Sequence, residues 1–291
     1  MPPMRSSPAW FLLLTTLLLA PLAHAAGRGS RIESLNLHAP SLGATKKKDC
    51  RVYFPPSYDN SPDRRYPVIV FLHGWPGSEG NWPGQGRAQE TLDSLIANGA
   101  IPEVLGLFPD GGGCGVLERS IWLNAAKGRS NMEDFLVKDV VTWADQSFRT
   151  KAEARYRGII GLSDGATAAV NCVLRHTDVF MACGAHSGDM ELRPDFSSRP
   201  IFGDEPGATA LRREYSPLLH VEEAASRIRE CSIYFDCGDR DESLADNREL
   251  DTKLTRLQVP HTFNVFPGTH NWGYWKVHLR QSLRAVTARM W

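Results

Sequence analysis

The stretch RGIIGLSDGATAAV, residues 157–170, decides the fold. Tyr156 to Leu162 reads as a strand, because a short apolar run of this kind suits a strand buried on both faces. Asp164 to Arg175 is rich in alanine and reads as a helix. Between them lies Gly161-Leu-Ser-Asp-Gly165, a G-x-S-x-G turn. Side chains at 161 and 165 would clash in so tight a bend, and the bend lifts the Ser163 hydroxyl above the sheet edge. The helix N-terminus beneath it favours developing negative charge. A five-residue motif with two glycines also occurs by chance. The strand before it and the helix after it are what make Ser163 a candidate nucleophile.

Working outward, strands and helices alternate. An edge strand is expected within 27–48, then strands at Arg51 to Phe54, Pro67 to Leu72 (PVIVFL), Glu103 to Phe108, Val179 to Ala185, Cys231 to Cys237 and His261 to Phe266. Helical spacing covers Arg87 to Asn98, Asn131 to Phe148, Leu244 to Leu257 and Trp272 to Arg289, with a mixed, mainly helical Leu211 to Arg229. This alternation predicts an α/β fold, a mostly parallel central sheet with helices on both faces. No internal repeat, low-complexity tract or linker interrupts it.

A serine hydroxyl is a poor nucleophile until a base takes its proton. On a strand-turn-helix elbow of this kind the chain order is serine, acid, histidine. After the strand Cys231 to Cys237 comes Gly238-Asp-Arg-Asp241, at the carboxyl edge where catalytic groups of a parallel sheet belong. Asp241 is favoured, because a turn after the glycine must intervene before the side chain can point back. Asp239 is the alternative, with shaping the turn or pairing with Arg240 as its structural role. Three histidines follow. His261 begins a strand after Pro260, and His278 lies inside the last helix. His270 sits in the loop Pro267-Gly-Thr-His-Asn-Trp272, where a positioned base belongs. The oxyanion calls for two backbone donors. The amide of Asp164 is one. The other falls in His73-Gly-Trp-Pro-Gly77 after PVIVFL, on Trp75 or alternatively Gly74. Trp122, Asn124, His186, Trp272 and Trp275 lie on segments expected near the same edge, with Trp122, Asn124 and Trp272 as candidate substrate contacts. Tryptophans in such places more often serve as packing.

Six segments carry a resemblance: RVYFPPSYDNSPDRRYPVIVFLHGWPG, NMEDFLVKDVVTWADQSFRT, RGIIGLSDGATAAV, DVFMACGAHSG, FDCGDRDESL and FPGTHNWGYWKVHL. They mark a resemblance over roughly Cys50 to Leu283, nearly all of the expected mature chain. On them the chain resembles the esterase family of α/β-hydrolases that includes feruloyl esterases, S-formylglutathione hydrolase (esterase D), enterochelin esterases and the antigen 85 mycolyltransferases. The resemblance implies a triad of Ser163, Asp241 and His270, an oxyanion hole from the amides of Trp75 and Asp164, action on esters or in acyl transfer, and no cofactor. One departure stands out. The family often has a bulky apolar residue and then Gly-Gly after the serine, whereas here the run is Asp164-Gly165-Ala166. A carboxylate near the oxyanion opposes its charge unless it points away, so Asp164 is expected to contact a hydroxyl or cation of the substrate.

The 291 residues carry 33 basic and 33 acidic side chains, so charge gives no reason to expect nucleic acid or an anionic membrane as partner. Arg5, the apolar run Ala9 to Ala20, Pro21 and Ala23-His24-Ala25 read as a secretory signal peptide over residues 1–25. The run is too short for a span, which needs about 20 apolar residues. One hydrolase domain over 26–291 is expected, without a membrane anchor, in the periplasm or outside the cell. Six cysteines (Cys50, Cys114, Cys172, Cys183, Cys231 and Cys237) all follow the expected cleavage site. Such a compartment permits disulfides, although Cys172, Cys183 and Cys237 sit among apolar residues where a thiol packs as a small hydrophobe. No HExxH or CxxC motif suggests a metal site. Three functions fit these residues: a carboxylesterase on acylated carbohydrate or phenolic esters, an acyltransferase, and a binding protein on the same scaffold. An intact triad argues against the last.

Overall fold

The structure is a computed structural model that describes residues 29–112 and 119–291. The expected signal peptide and Cys114 lie outside the described residues. Eight strands form one sheet in the order β1-β2-β4-β3-β5-β6-β7-β8: β1 Arg31–His38, β2 Lys47–Phe54, β3 Val68–Leu72, β4 Leu105–Pro109, β5 Arg157–Leu162, β6 Ala182–His186, β7 Ser232–Gly238 and β8 Thr262–Phe266. The β1-β2 and β2-β4 pairs are antiparallel, and every later pair is parallel. The ten α-helical segments are α1 Asn81–Gly84, α2 Ala88–Ala97, α3 Met132–Asp134, α4 Val141–Ser147, α5 Asp164–Arg175, α6 Arg199–Phe202, α7 Gly207–Tyr215, α8 Pro217–Ala224, α9 Leu244–Arg256 and α10 Trp272–Thr287.

Two-faced burial explains the continuous apolar strands. Along β3, Val68, Val70 and Leu72 pack into one core, with residues of α4, α5 and α8. Ile69 and Phe71 point the other way, to a second core that holds α2 and α10. Successive strand side chains alternate in direction, so a strand with helices over both faces must be apolar at every position. On β5, Ile159 joins the first core while Ile160 and Leu162 join the second. A smaller cluster of Ile121, Leu123, Ile201, Phe202 and Tyr215 packs the 119–124 segment against α6 and α7, which lie on the excursion between β6 and β7.

Two expectations change. Val179 and Phe180 are not in a strand: their amides donate to His176 O at 3.0 and 2.9 Å, closing a turn after α5, and β6 starts only at Ala182. Phe180 is buried as a turn residue, so its apolarity imitates a strand. The expected helix over Asn131 to Phe148 is helical but changes pitch, with a π-helical stretch at Phe135–Val140 between α3 and α4. The five described cysteines are buried free thiols. Burial pushes the Cys231 thiol up to about 11, so it is protonated and packs as an apolar group. Among the described residues no helix is long and apolar enough to cross a membrane.

Candidate active site

The elbow forms because β5 must turn into α5 within one residue. Ser163 takes φ 53° and ψ −123°, in the left-handed region that side chains avoid. Its glycine neighbours are obligatory. A Cβ at Gly161 would lie 2.0 Å from Gly165 O, and one at Gly165 would lie 2.5 Å from Leu72 O, so the β3 end and α5 could not approach. The Ser163 amide donates to His186 O at 3.0 Å, which fixes the turn against β6. Seven non-glycine residues among those described have positive φ. Four of them, Ser163, Ser187, Ile121 and Trp122, lie around this elbow, as strained backbone tends to do at functional sites.

β7 and β8 deliver the other two groups. Asp241 follows β7, and His270 follows β8 just before α10. His270 Nδ1 lies 3.1 Å from Asp241 Oδ1, and Nε2 lies 3.0 Å from Ser163 Oγ. A carboxylate can only accept, so Nδ1 carries the proton and donates to Asp241. The neutral Nε2 then accepts from the Ser163 hydroxyl. Burial disfavours the imidazolium, but the hydrogen bond and charge of Asp241 outweigh it and hold the His270 pKa above the ordinary value. For Asp241, burial works against the anion. Hydrogen bonds from His270, the Ser243 amide and Ser187 prevail and keep its carboxyl below the usual range. Asp239 is exposed instead: its Oδ1 accepts from the Gly268 amide at 2.9 Å and lies 3.6 Å from Arg240 Nε. It shapes the loop that carries His270.

The loop after β3 lies against Ser163, since a Cβ on Gly74 would sit 2.9 Å from Ser163 Cβ. Three side chains pin it. Trp82 Nε1 donates to Leu72 O, and Trp122 Nε1 to His73 O, both at 2.9 Å. The third is His73, whose Nε2 accepts from the Gly111 amide while Nδ1 donates to Gly74 O, each at 2.8 Å. Burial lowers the His73 pKa, which keeps the ring neutral and able to do both. The amides of Gly74, Trp75 and Asp164 donate to no protein group among the described residues. Asp164 opens α5, and the first amides of a helix have no partner within it.

The family model described as "Putative esterase" matches residues 43–286. The chain belongs to this esterase family. An endo-1,4-beta-xylanase/feruloyl esterase of Xylanibacter ruminicola is 31% identical over 200 residues, covering 64% of this chain and 26% of that protein. A solved ferulic acid esterase superposes with a TM-score of 0.80 at 28% identity, covering 89% of this chain and 98% of the other. The fold is also that of an S-formylglutathione hydrolase from Staphylococcus aureus, with a TM-score of 0.72 at 21% identity over 89% of this chain and 100% of that one. The chain spans 57%, 26% and 51% of the lengths of the first three curated relatives it matches.

The expected pocket residues of this chain have different surroundings from one another. Trp122 is buried and lines a small cavity of about 90 Å³ beside the oxyanion loop, together with His73, Trp75, Gly111 and Asp164. Its ring packs under Gly111, where a Cβ would lie 2.2 Å away, so it is a wall of the site and a clamp on His73. Asn124 does not line that cavity. Its side chain exchanges hydrogen bonds with Asp134 at 3.1 Å in both directions, closing the start of the 132–147 helix. Both polar groups of the Asn124 side chain are thereby occupied. Trp272 stands edge-on to Trp82 at 5.5 Å and to Trp275 at 5.4 Å and is half-buried. Trp275 in turn stands edge-on to the His270 ring at 5.0 Å. His186 is fully buried in a core network.

Sequence reasoning missed two residues of the candidate site. Ser187 supports the acid: its hydroxyl is bonded to Asp241 and accepts from Trp275 Nε1 at 3.1 Å. The signal was its place directly after β6, at the carboxyl edge. Arg119 pairs in a bidentate fork with Asp164, Nε to Oδ2 at 2.7 Å and Nη2 to Oδ1. The cation that Asp164 was expected to find on a substrate is thus supplied by the protein. No local pattern marks an arginine 45 residues upstream.

Proposed function

We propose that this esterase is a secreted serine hydrolase of carboxylic esters, acting through an acyl-enzyme on Ser163, with phenolic acids esterified to carbohydrate as its substrates. The observation that carries the reading is the continuous relay from Ser163 Oγ through His270 to a buried Asp241, with spacings of 3.0 and 3.1 Å. His270 takes the serine proton as Oγ attacks the ester carbonyl. The amides of Asp164 and of Trp75 or Gly74 receive the oxyanion. Protonated His270, stabilised by Asp241, returns the proton to the alkoxide, and the alcohol leaves. A water then gives its proton to the same imidazole and attacks the acyl carbonyl, releasing the acid and restoring Ser163.

The phenolic acid is supported by the feruloyl esterases among the relatives and solved structures, and by the exposed Trp75 ring and the Trp272 and Trp275 rings beside His270. The test is hydrolysis of methyl ferulate and of feruloylated arabino-oligosaccharide, against acetylated and short aliphatic esters, with released acid measured. Preference for the feruloyl esters by at least about tenfold in kcat/KM is expected, since matched aromatic packing supplies on the order of 1.5 kcal/mol. Equal rates on acetyl esters would sink the phenolic assignment while leaving the serine mechanism standing. Adding a sugar or alcohol acceptor and finding an ester product in place of free acid would instead identify a transferase.

We place the protein outside the cytoplasm on residues 1–25. N-terminal sequencing of exported protein is expected to read from Ala26; a mature chain that retains Arg5 would refute this.

A further inference from the structure

Asp164 presents a difficulty that its fork with Arg119 addresses. Its amide opens α5 directly after the nucleophile, and its carboxylate is buried within the same residue. Burial favours the neutral acid and the guanidinium favours the anion, so the charge state depends on the fork. Any negative charge there opposes the oxyanion that the same residue's amide would hold.

Arg119 is itself largely buried and has three attachments. Beyond the fork to Asp164, its Nη1 donates to Asp195 Oδ2 at 3.1 Å and to Ser197 Oγ at 3.3 Å. Its guanidinium also lies 5.9 Å from the centre of the Trp75 ring. One side chain therefore joins the nucleophile helix, the loop after β3 and the excursion that follows β6. Trp75, on the loop after β3, carries the other candidate oxyanion amide.

We propose that Arg119 is a positioning residue for this reaction: it cancels the Asp164 carboxylate beside the oxyanion and holds the Trp75 and Asp164 amides in register. The proposal rests on the serine-esterase reading given above. A family pattern with an apolar residue at this position needs no such partner. Here the acidic residue and its arginine form a unit: removing Arg119 leaves the Asp164 carboxylate buried without its cation, whereas removing Asp164 leaves Arg119 on Asp195 and Ser197.

The test compares Arg119→Met, Arg119→Lys and the double variant Arg119→Met/Asp164→Asn with the wild-type esterase on an aryl ester. Arg119→Met is expected to lose about 10- to 100-fold in kcat, with KM changing far less, because an uncancelled charge acts on the transition state. Adding Asp164→Asn is expected to return at least about tenfold of that loss, since it removes the opposing charge. Arg119→Lys, which keeps the charge without the fork, is expected to fall between. A double variant as slow as Arg119→Met, or an Arg119→Met with wild-type kcat, would overturn the proposal. If Arg119→Met is insoluble, Arg119→Gln with and without Asp164→Asn gives the same comparison. Labelling of Ser163 by a fluorophosphonate in wild-type protein separates the two readings. Absence of labelling and of hydrolysis there would sink the serine-esterase reading itself, whereas labelled, active wild-type protein with no rescue would sink only the role of Arg119.

Discussion

Ser163→Ala is expected to lower kcat/KM on an aryl ester by about 10⁵- to 10⁶-fold, to a residue set by binding and the oxyanion donors alone. The size follows from the geometry. Ser163 Oγ is the atom that meets His270 Nε2 at 3.0 Å, on an elbow whose φ of 53° exists only to project it. Without it no acyl-enzyme forms, and the remaining site must rely on direct attack by water. Stability should hardly fall, because alanine occupies the same backbone and the lost hydroxyl bonds only His270; a melting curve checks this. A loss under about tenfold, with the fold intact, would mean that the nucleophile lies elsewhere.

Asp241→Asn is expected to cost about 10³- to 10⁴-fold in kcat, whereas Asp239→Asn should cost no more than a few-fold. Asparagine keeps the shape but lets its amide face Nδ1, which favours the tautomer that cannot accept the serine proton. The pH profile gives a second reading. His270 works as a base only when neutral, so activity falls as pH drops through its pKa. Asp241 holds that pKa above the ordinary value of about 6.5, and Asp241→Asn should therefore move the acid limb to lower pH while the plateau falls. A limb that stays in place would show that Asp241 does not govern the imidazole. A large loss in Asp239→Asn with an unmoved Asp241→Asn would reverse the assignment.

What the sequence made legible was local or ordered along the chain. The elbow could be read because strand, glycines, serine and helix are contiguous in 157–175. The meeting of Asp241 and His270 with Ser163 could be anticipated because loops after successive parallel strands must open at one edge, and these two residues sit in two such loops. What escaped depends on contacts distant in sequence. Arg119 meets Asp164 across 45 residues, and Ser187 meets Trp275 across 88. Nothing near Arg119 distinguishes it, and Ser187 is marked only by its place directly after β6. Trp122 and Asn124 sit at the expected edge with their polar groups on His73 and Asp134; Trp122 lines the small cavity beside Asp164, and Asn124 does not.

Burial also decides which constellations can react. Ser282, His186 and Asp236 are linked as Ser163, His270 and Asp241 are, with His186 Nε2 2.9 Å from Ser282 Oγ and Nδ1 3.0 Å from Asp236 Oδ1. All three are fully buried, and Asp236 also accepts from Tyr234 and Tyr274. No ester can reach that serine. The set instead ties α10 to β6 and β7, and so seats Trp275 against His270. Spacing alone would have nominated two triads, and exposure leaves one.

The most direct test is mass spectrometry of protein quenched in acid during turnover of a feruloyl ester. The account predicts a feruloyl group on the peptide that contains Ser163, absent in Ser163→Ala and preserved by the quench because protonated His270 can no longer activate the deacylating water. Steady hydrolysis with no adduct on that peptide, or an adduct on another residue, would contradict it.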